Sequence, residues 1–316
     1  QIVPIFDPVA YAPYESLGAS LRVAITNWFG IHAAGPDYAT RKLIADTLDG
    51  GMAFIIDPAG QPVYHPFMFP EISCFVRSFM MESIRQMIAE MDADALAPTA
   101  PGVKVFFVNE NSALVQAFVP SGPGGALQPF RVLFDFSDMI MYLSGIFAPG
   151  CVSSTEYAAL VGQLAQRIDA YCITHIHPDH HSEVLAQAMQ SLGKPIVLTP
   201  EMVIAAQNIG VSTAGLFIPF YGGPTVLSPW VSLDVHLGSQ IGFVQNNVYF
   251  LNFNVPVDGS PNDGVTFVHF GDNDNPTPME AHILALSAIG YIKPHVISSM
   301  GIAPTAASQA VMPVDV

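Results

Sequence analysis

Charge is what this 316-residue chain has least of: Asp, Glu, Lys and Arg make up 11% of it, with 10 Lys or Arg against 26 Asp or Glu. The formal net charge of −16 excludes a basic face for a phosphate backbone, so nucleic acid is not an expected partner. Also missing is an unbroken apolar run of the roughly 20 residues that a membrane-spanning helix needs. Mean hydropathy is high at +0.41, yet the long apolar stretch from Phe67 to Met91 is interrupted by Glu71, Arg77, Glu82, Arg85 and Glu90. A water-soluble chain with a generous core is expected. Cysteine is scarce as well. Cys74, Cys151 and Cys172 form no CxxC or Cys/His pattern, which argues against a thiolate metal site. Cys172 falls in an apolar run that reads as a buried strand. Cys74 and Cys151 are open to two readings, a disulfide in an oxidising compartment or free buried thiols. Few lysines, 27 prolines and the acidic balance favour a periplasmic or secreted location over a cytoplasmic one.

The chain divides near residue 102. Residues 1–102 are punctuated by proline and contain two helical patterns, Tyr38 to Leu48 and Glu71 to Met91. In the second, Ile72, Phe75, Val76, Phe79, Met80, Ile84, Met87, Ile88 and Met91 recur at helical spacing, the pattern of a face packed on a core. A flexible methionine face lining a pocket or a dimer interface is the alternative. This region reads as an α+β extension serving as a lid or a dimerisation region. From 103 to 316 the order becomes regular. Strands at 103–108, 113–119 and 130–136 give way to a helix at 154–170, a strand at 171–174 and helices at 182–192 and 200–208. A second set of strands (231–235, 241–244, 248–253, 265–270), a helix at 277–290 and a strand at 296–298 follow. Strands then helices, twice over, predict an α/β fold with an αββα sandwich of four layers.

Four of the ten histidines lie between His175 and His181. They follow a short apolar strand, at a carboxyl end where loops commonly place reacting groups. His175 and His177 alternate, which puts both imidazoles on one side of an extended backbone. Asp179 and His180, beyond the turn at Pro178, can face a second point nearby. Four nitrogen or oxygen donors within six residues suit zinc or a similar divalent metal.

The segment Thr-His175-Ile-His177-Pro-Asp179-His180 resembles the HxHxDH signature of the metallo-β-lactamase superfamily. Other segments agree: Val132-Leu-Phe-Asp135 as the strand ending in Asp, His236-Leu-Gly-Ser-Gln-Ile-Gly-Phe243 as the context of a third histidine, and Phe267-Val-His-Phe-Gly271-Asp272 as the Gly-Asp after an apolar strand. His269 in the last is similar to the lactonase-like branch. The resemblance runs from about Val103 to Gly301. It implies a dinuclear centre in which metal 1 takes His175, His177 and His236, metal 2 takes Asp179 and His180, and Asp272 bridges both. The family's last metal-2 histidine has no counterpart, because Lys293-Pro-His-Val-Ile-Ser-Ser-Met300-Gly301 carries Met or Gly there, and His295 is the nearest substitute. His181, His269 and His282 are expected as supporting or core residues.

The function so implied is a metal-dependent hydrolase holding one or two Zn2+, with iron or manganese also compatible, and with Asp179 orienting the nucleophile. Scarce cations favour a neutral or apolar small-molecule substrate, a lactone or ester over a phosphodiester. An iron-binding oxidoreductase on the same scaffold and a non-catalytic metal-binding module are the alternatives. A homo-oligomer is compatible with either.

Overall fold

A computed structural model describes residues 2–4, 70–96, 102–254 with short gaps, 264–273 and 294–298. Twelve strands and four helices are described: β1 Ile2–Pro4, α1 Pro70–Ala95, β2 Gly102–Phe107, β3 Ala113–Pro120, β4 Leu127–Phe134, α2 Ser154–Arg167, β5 Ala170–Cys172, α3 Glu183–Ser191, β6 Ile196–Val197, α4 Pro200–Asn208, β7 Leu216–Phe217, β8 Thr225–Ser228, β9 Val231–Gln240, β10 Val244–Phe253, β11 Val265–His269 and β12 Pro294–Ser298. They form a seven-stranded sheet in the order β1 to β7 and a five-stranded sheet in the order β12-β11-β10-β9-β8.

Alternation along the strands builds the layers. In β4, Val132 and Phe134 point into the space between the sheets, where they meet Val231, Leu233, Val235, Tyr249, Leu251, Phe253 and Phe267. Leu133 points the other way, towards α1, α2, α3 and α4. One face of the first sheet therefore seals against the second sheet and the other against helices, as a strand apolar on both faces requires. In the second sheet Val248, Phe250 and Val268, set between the inward residues, are also buried. The expected helix at 277–290, like that at 38–48, lies outside the described residues. Of the strand expected at 241–244 only Val244 is described, and it opens β10; β9 continues through Gln240 and pairs with β10 over ten positions, from Val231↔Phe253 to Gln240↔Val244.

Helix α1 settles the character of the methionine stripe. Met80, Met81, Ile84, Met87 and Met91 are buried in the same cluster as Leu160, Leu164 and Leu185, so this face is core. Two further ties hold α1 down: a Cys74–Cys151 disulfide across 77 residues of chain, and the buried Arg77 guanidinium, which donates to the carbonyls of Met141 and Val152. Ser153 caps α2, accepting from the Glu156 N–H while the Glu156 carboxylate accepts from the Ser153 N–H, a reciprocal box that satisfies two otherwise orphan donors. No helix among the described residues is long and apolar enough to cross a membrane.

Candidate metal centre

Strand β5 ends at Cys172, and the chain then turns through residues 173–182 at the mouth between the two sheets. Several bonds fix that turn. The Thr174 carbonyl accepts from the Asn247 N–H of β10 at 2.8 Å, and the Tyr249 hydroxyl donates to the Ile173 carbonyl at 2.6 Å, so the second sheet holds the strand end. At the far side of the turn Asp138 accepts from the Ser182 and Tyr157 hydroxyls and the Val184 N–H. This carboxylate sits at the N-terminus of α3, where unpaired N–H groups and the helix dipole favour negative charge. The His-rich segment is thereby clamped at both ends.

Beneath it lies Asp135, fully buried just past the end of β4. Its carboxylate accepts four hydrogen bonds, from Thr174 N and Oγ1 at 2.7 Å each, His180 Nδ1 at 2.9 Å and His269 Nε2 at 2.8 Å. Burial would raise its pKa, but His180 and His269 hold it far below the usual carboxylate range. Asp135 adopts φ +47°, in the left-handed region that Asp tolerates better than most residues. Gly271 at φ +55° faces the same place, and a Cβ there would stand 2.6 Å from Thr174 Cβ and Oγ1, so no larger residue fits.

These bonds also set which nitrogen of each ring looks into the site. The Thr174 hydroxyl gives its proton to Asp135, so it can only accept from His175 Nδ1, 3.0 Å away. His175 Nε2 is left as a bare lone pair, 3.0 Å from His177 Nδ1 and 3.7 Å from Asp272 Oδ2. Burial first, then the charge of His180, pushes His175 down to about 3, keeping it neutral. His180 donates from Nδ1 to Asp135 and turns Nε2 towards Asp272 Oδ2 at 3.3 Å and Asp179 Oδ2 at 3.6 Å. Burial would lower its pKa, but Asp135 and Asp272 overrule this and push it up to about 10. Asp272 is lowered in turn, since His180 outweighs its own burial.

Two trios result, His175, His177 and Asp272, and Asp179, His180 and Asp272, each with its donor atoms within 4.8 Å of one another. Asp272 belongs to both. The fit to a metal can be tested on the distances between donors. Tetrahedral zinc with bonds of about 2.05 Å needs donors roughly 3.4 Å apart; four of the six donor pairs here lie between 3.0 and 3.7 Å, and all lie within 4.8 Å.

Of the residues expected from sequence, five converge here. His236 does not join either trio among the described residues. It pairs with Val248 in the body of β9, next to Val235, which packs between the sheets. His295 lies on β12, whose parallel register sets Ser298 beside His269 and Pro294 beside Thr266. That places His295 about 10 Å of extended chain from the end of the strand nearest Asp272; its side chain is outside the described set. His269 supports Asp135, and His181 Nδ1 lies 3.0 Å from the His177 carbonyl. His32, His65 and His282 lie outside the described residues. Two participants had no sequence signal. Gln240 Nε2 donates to Asp272 Oδ2 at 2.8 Å, and Asn111 Nδ2 lies 3.4 Å from Asp179 Oδ2 and 3.3 Å from His180 Nε2. Asn111 precedes β3 in a polar turn and reads from sequence as punctuation.

No family model matches the sequence, and no curated protein matches it. Solved structures do. One is the metallo-β-lactamase fold protein YhfI from Bacillus subtilis, at 15% identity and TM-score 0.33, over 59% of this chain and 61% of that one. Another is a metallo-β-lactamase from Pontibacter korlensis, at 14% identity and TM-score 0.33, over 67% and 98% of the two chains. A third is the metallo-β-lactamase FIM-1 from Pseudomonas aeruginosa in a mono-zinc form, at 14% identity and TM-score 0.33, over 69% and 96%. The match spans less than two thirds of the length of YhfI.

Proposed function

We propose that the chain is a metal-dependent hydrolase of neutral carboxylic esters or lactones, with His175, His177 and Asp272 holding one divalent metal and Asp179, His180 and Asp272 a second. The observation that carries this reading is the sharing of the Asp272 carboxylate between two trios whose spacing suits zinc. When bound, a divalent metal supplies Lewis acidity and makes water a nucleophile near neutral pH. The protein contributes the rest. Asp135 and Thr174 lock the rings of His180 and His175 so that each presents Nε2, an arrangement known to raise ligand affinity. Asp179, about a third exposed at its side chain, is the cluster's most open carboxylate and can take and return a proton during ester cleavage. Among the described residues no Lys or Arg bonds to this cluster, which disfavours an anionic phosphodiester. The Cys74–Cys151 disulfide supports a location outside the reducing cytoplasm.

The test is metal analysis of the purified chain together with turnover on neutral aryl esters, lactones and a phosphodiester, before and after chelation. Chelator-sensitive cleavage of the neutral substrates, restored by zinc or manganese, is expected. A chain without bound metal and indifferent to chelators would overturn the reading.

A further inference from the structure

Metal 2 as proposed has Asp179, His180 and Asp272 and lacks the histidine that the sequence pattern leads one to look for. We infer that Asn111 fills that place as an oxygen ligand, an assignment that rests on the hydrolase reading above. Three observations carry it. The Asn111 amide lies 3.3 Å from His180 Nε2 and 3.4 Å from Asp179 Oδ2, which is the edge length of about 3.4 Å that a tetrahedral zinc site requires between donors. Second, the residue is buried, with 6% of its surface exposed, so its amide is committed to this corner of the molecule. Third, its backbone is pinned. The next residue, Ser112, donates from Oγ to the Asp135 carbonyl at 2.7 Å, tying Asn111 to the same strand end that orients His180.

Nδ2 is the atom that faces the acceptors, donating to the Asp179 carbonyl at 3.2 Å. An amide facing two oxygens presents its nitrogen to them. A half-turn of the amide exchanges nitrogen for oxygen with little displacement of either atom. A cation at this corner reverses the preference, since Oδ1 then faces positive charge. Asn111 is thus a hydrogen-bond donor that braces Asp179 before metal binds and a neutral oxygen ligand afterwards. A neutral ligand leaves the site less negative than an aspartate would, so the second metal should exchange more readily than the first.

The experiment titrates the metal-free full-length protein with Co2+ alone, following visible absorption and the number of ions retained on equilibrium dialysis. Wild type, Asn111→Leu and Asn111→Asp are compared, with thermal unfolding confirming that each is folded. The expected result is that Asn111→Leu weakens the second equivalent of Co2+ by tenfold or more while leaving the first unchanged, and that Asn111→Asp binds the second at least as tightly as wild type. Equal binding of both equivalents in Asn111→Leu would overturn the assignment. So would equal weakening in both variants, because Asp keeps a ligand oxygen but loses the donor, and that outcome marks a bracing role alone. If Asn111→Leu fails to fold, Asn111→Asp decides: weaker binding of the second ion overturns the proposal. A wild type that takes up no Co2+ at all would instead remove the hydrolase reading on which it rests.

Discussion

Arg131, near the end of β4, and Asp135, just past it, stand about 13 Å apart along an extended chain, and each anchors a buried polar network. Around Arg131 the cations are built in. Its guanidinium donates to Gln116 Oε1 and to the carbonyls of Met91 and Arg167, while Gln116 and Lys104 donate to Asp94, Lys104 to Glu90, and Arg167 to Asp92. Around Asp135 the carboxylates of Asp135, Asp179 and Asp272 meet imidazoles, side-chain amides and the Thr174 hydroxyl, with no Lys or Arg among the described residues bonded to them. The first network is electrically complete and holds α1 to the sheet. The second is short of positive charge and becomes complete by keeping a proton on His180 or by taking a metal. A buried carboxylate set that the protein leaves unbalanced marks function, and a balanced one marks structure.

The sharpest break of this contrast is Asp272→Ala. On the proposed function, removing the carboxylate common to both trios should strip both metals and lower turnover of neutral esters by about 10³-fold or more, with the far-ultraviolet circular dichroism unchanged. Retention of one tightly held ion, counted by elemental analysis, would show that Asp272 is not shared. Arg131→Met attacks the other network, where loss of the guanidinium leaves Gln116 Oε1 and the Met91 and Arg167 carbonyls without their donor. A destabilisation of about 3–5 kcal/mol, from unsatisfied groups at about 1–3 kcal/mol each, is expected in urea unfolding, with metal per folded chain unaltered. If metal content falls in parallel, the two networks are coupled through β4.

Reduction of Cys74–Cys151 probes the same structural side at smaller cost. Opening a cross-link that spans 77 residues should lower stability by about 2–4 kcal/mol, measured with and without reductant, and again leave metal binding intact.

The smallest effect concerns pH. His180 is raised in the folded metal-free protein to about 10, against about 6.5 when unfolded. A raised group stabilises the fold fully below its unfolded pKa, and that contribution drains away as pH rises towards the folded value. Metal-free protein should therefore show a falling urea midpoint from pH 6.5 to 10. Zinc-loaded protein should lack this fall, because the Nε2 proton is already gone. Asp135→Asn should flatten the metal-free slope, and an unchanged slope would place the titration elsewhere.

Much of this was present in the one-dimensional pattern. The alternation of β4, the helical period of α1 and the crowding of His175, His177, Asp179 and His180 are local features, dictated by backbone geometry and readable from neighbours in the chain. The Gly-Asp at 271–272 was readable too, through its resemblance to a known motif. What the sequence left open was decided by packing. Cys74 meets Cys151 because α1 lies beside the start of α2. His236, in the body of β9, joins neither trio, whereas Gln240 at the end of the same strand reaches Asp272. Asn111, Gln240 and the partners of Asp135 come from turns and strand ends far apart in the chain. Their roles depend on which ends the two sheets bring together, and no local period encodes that.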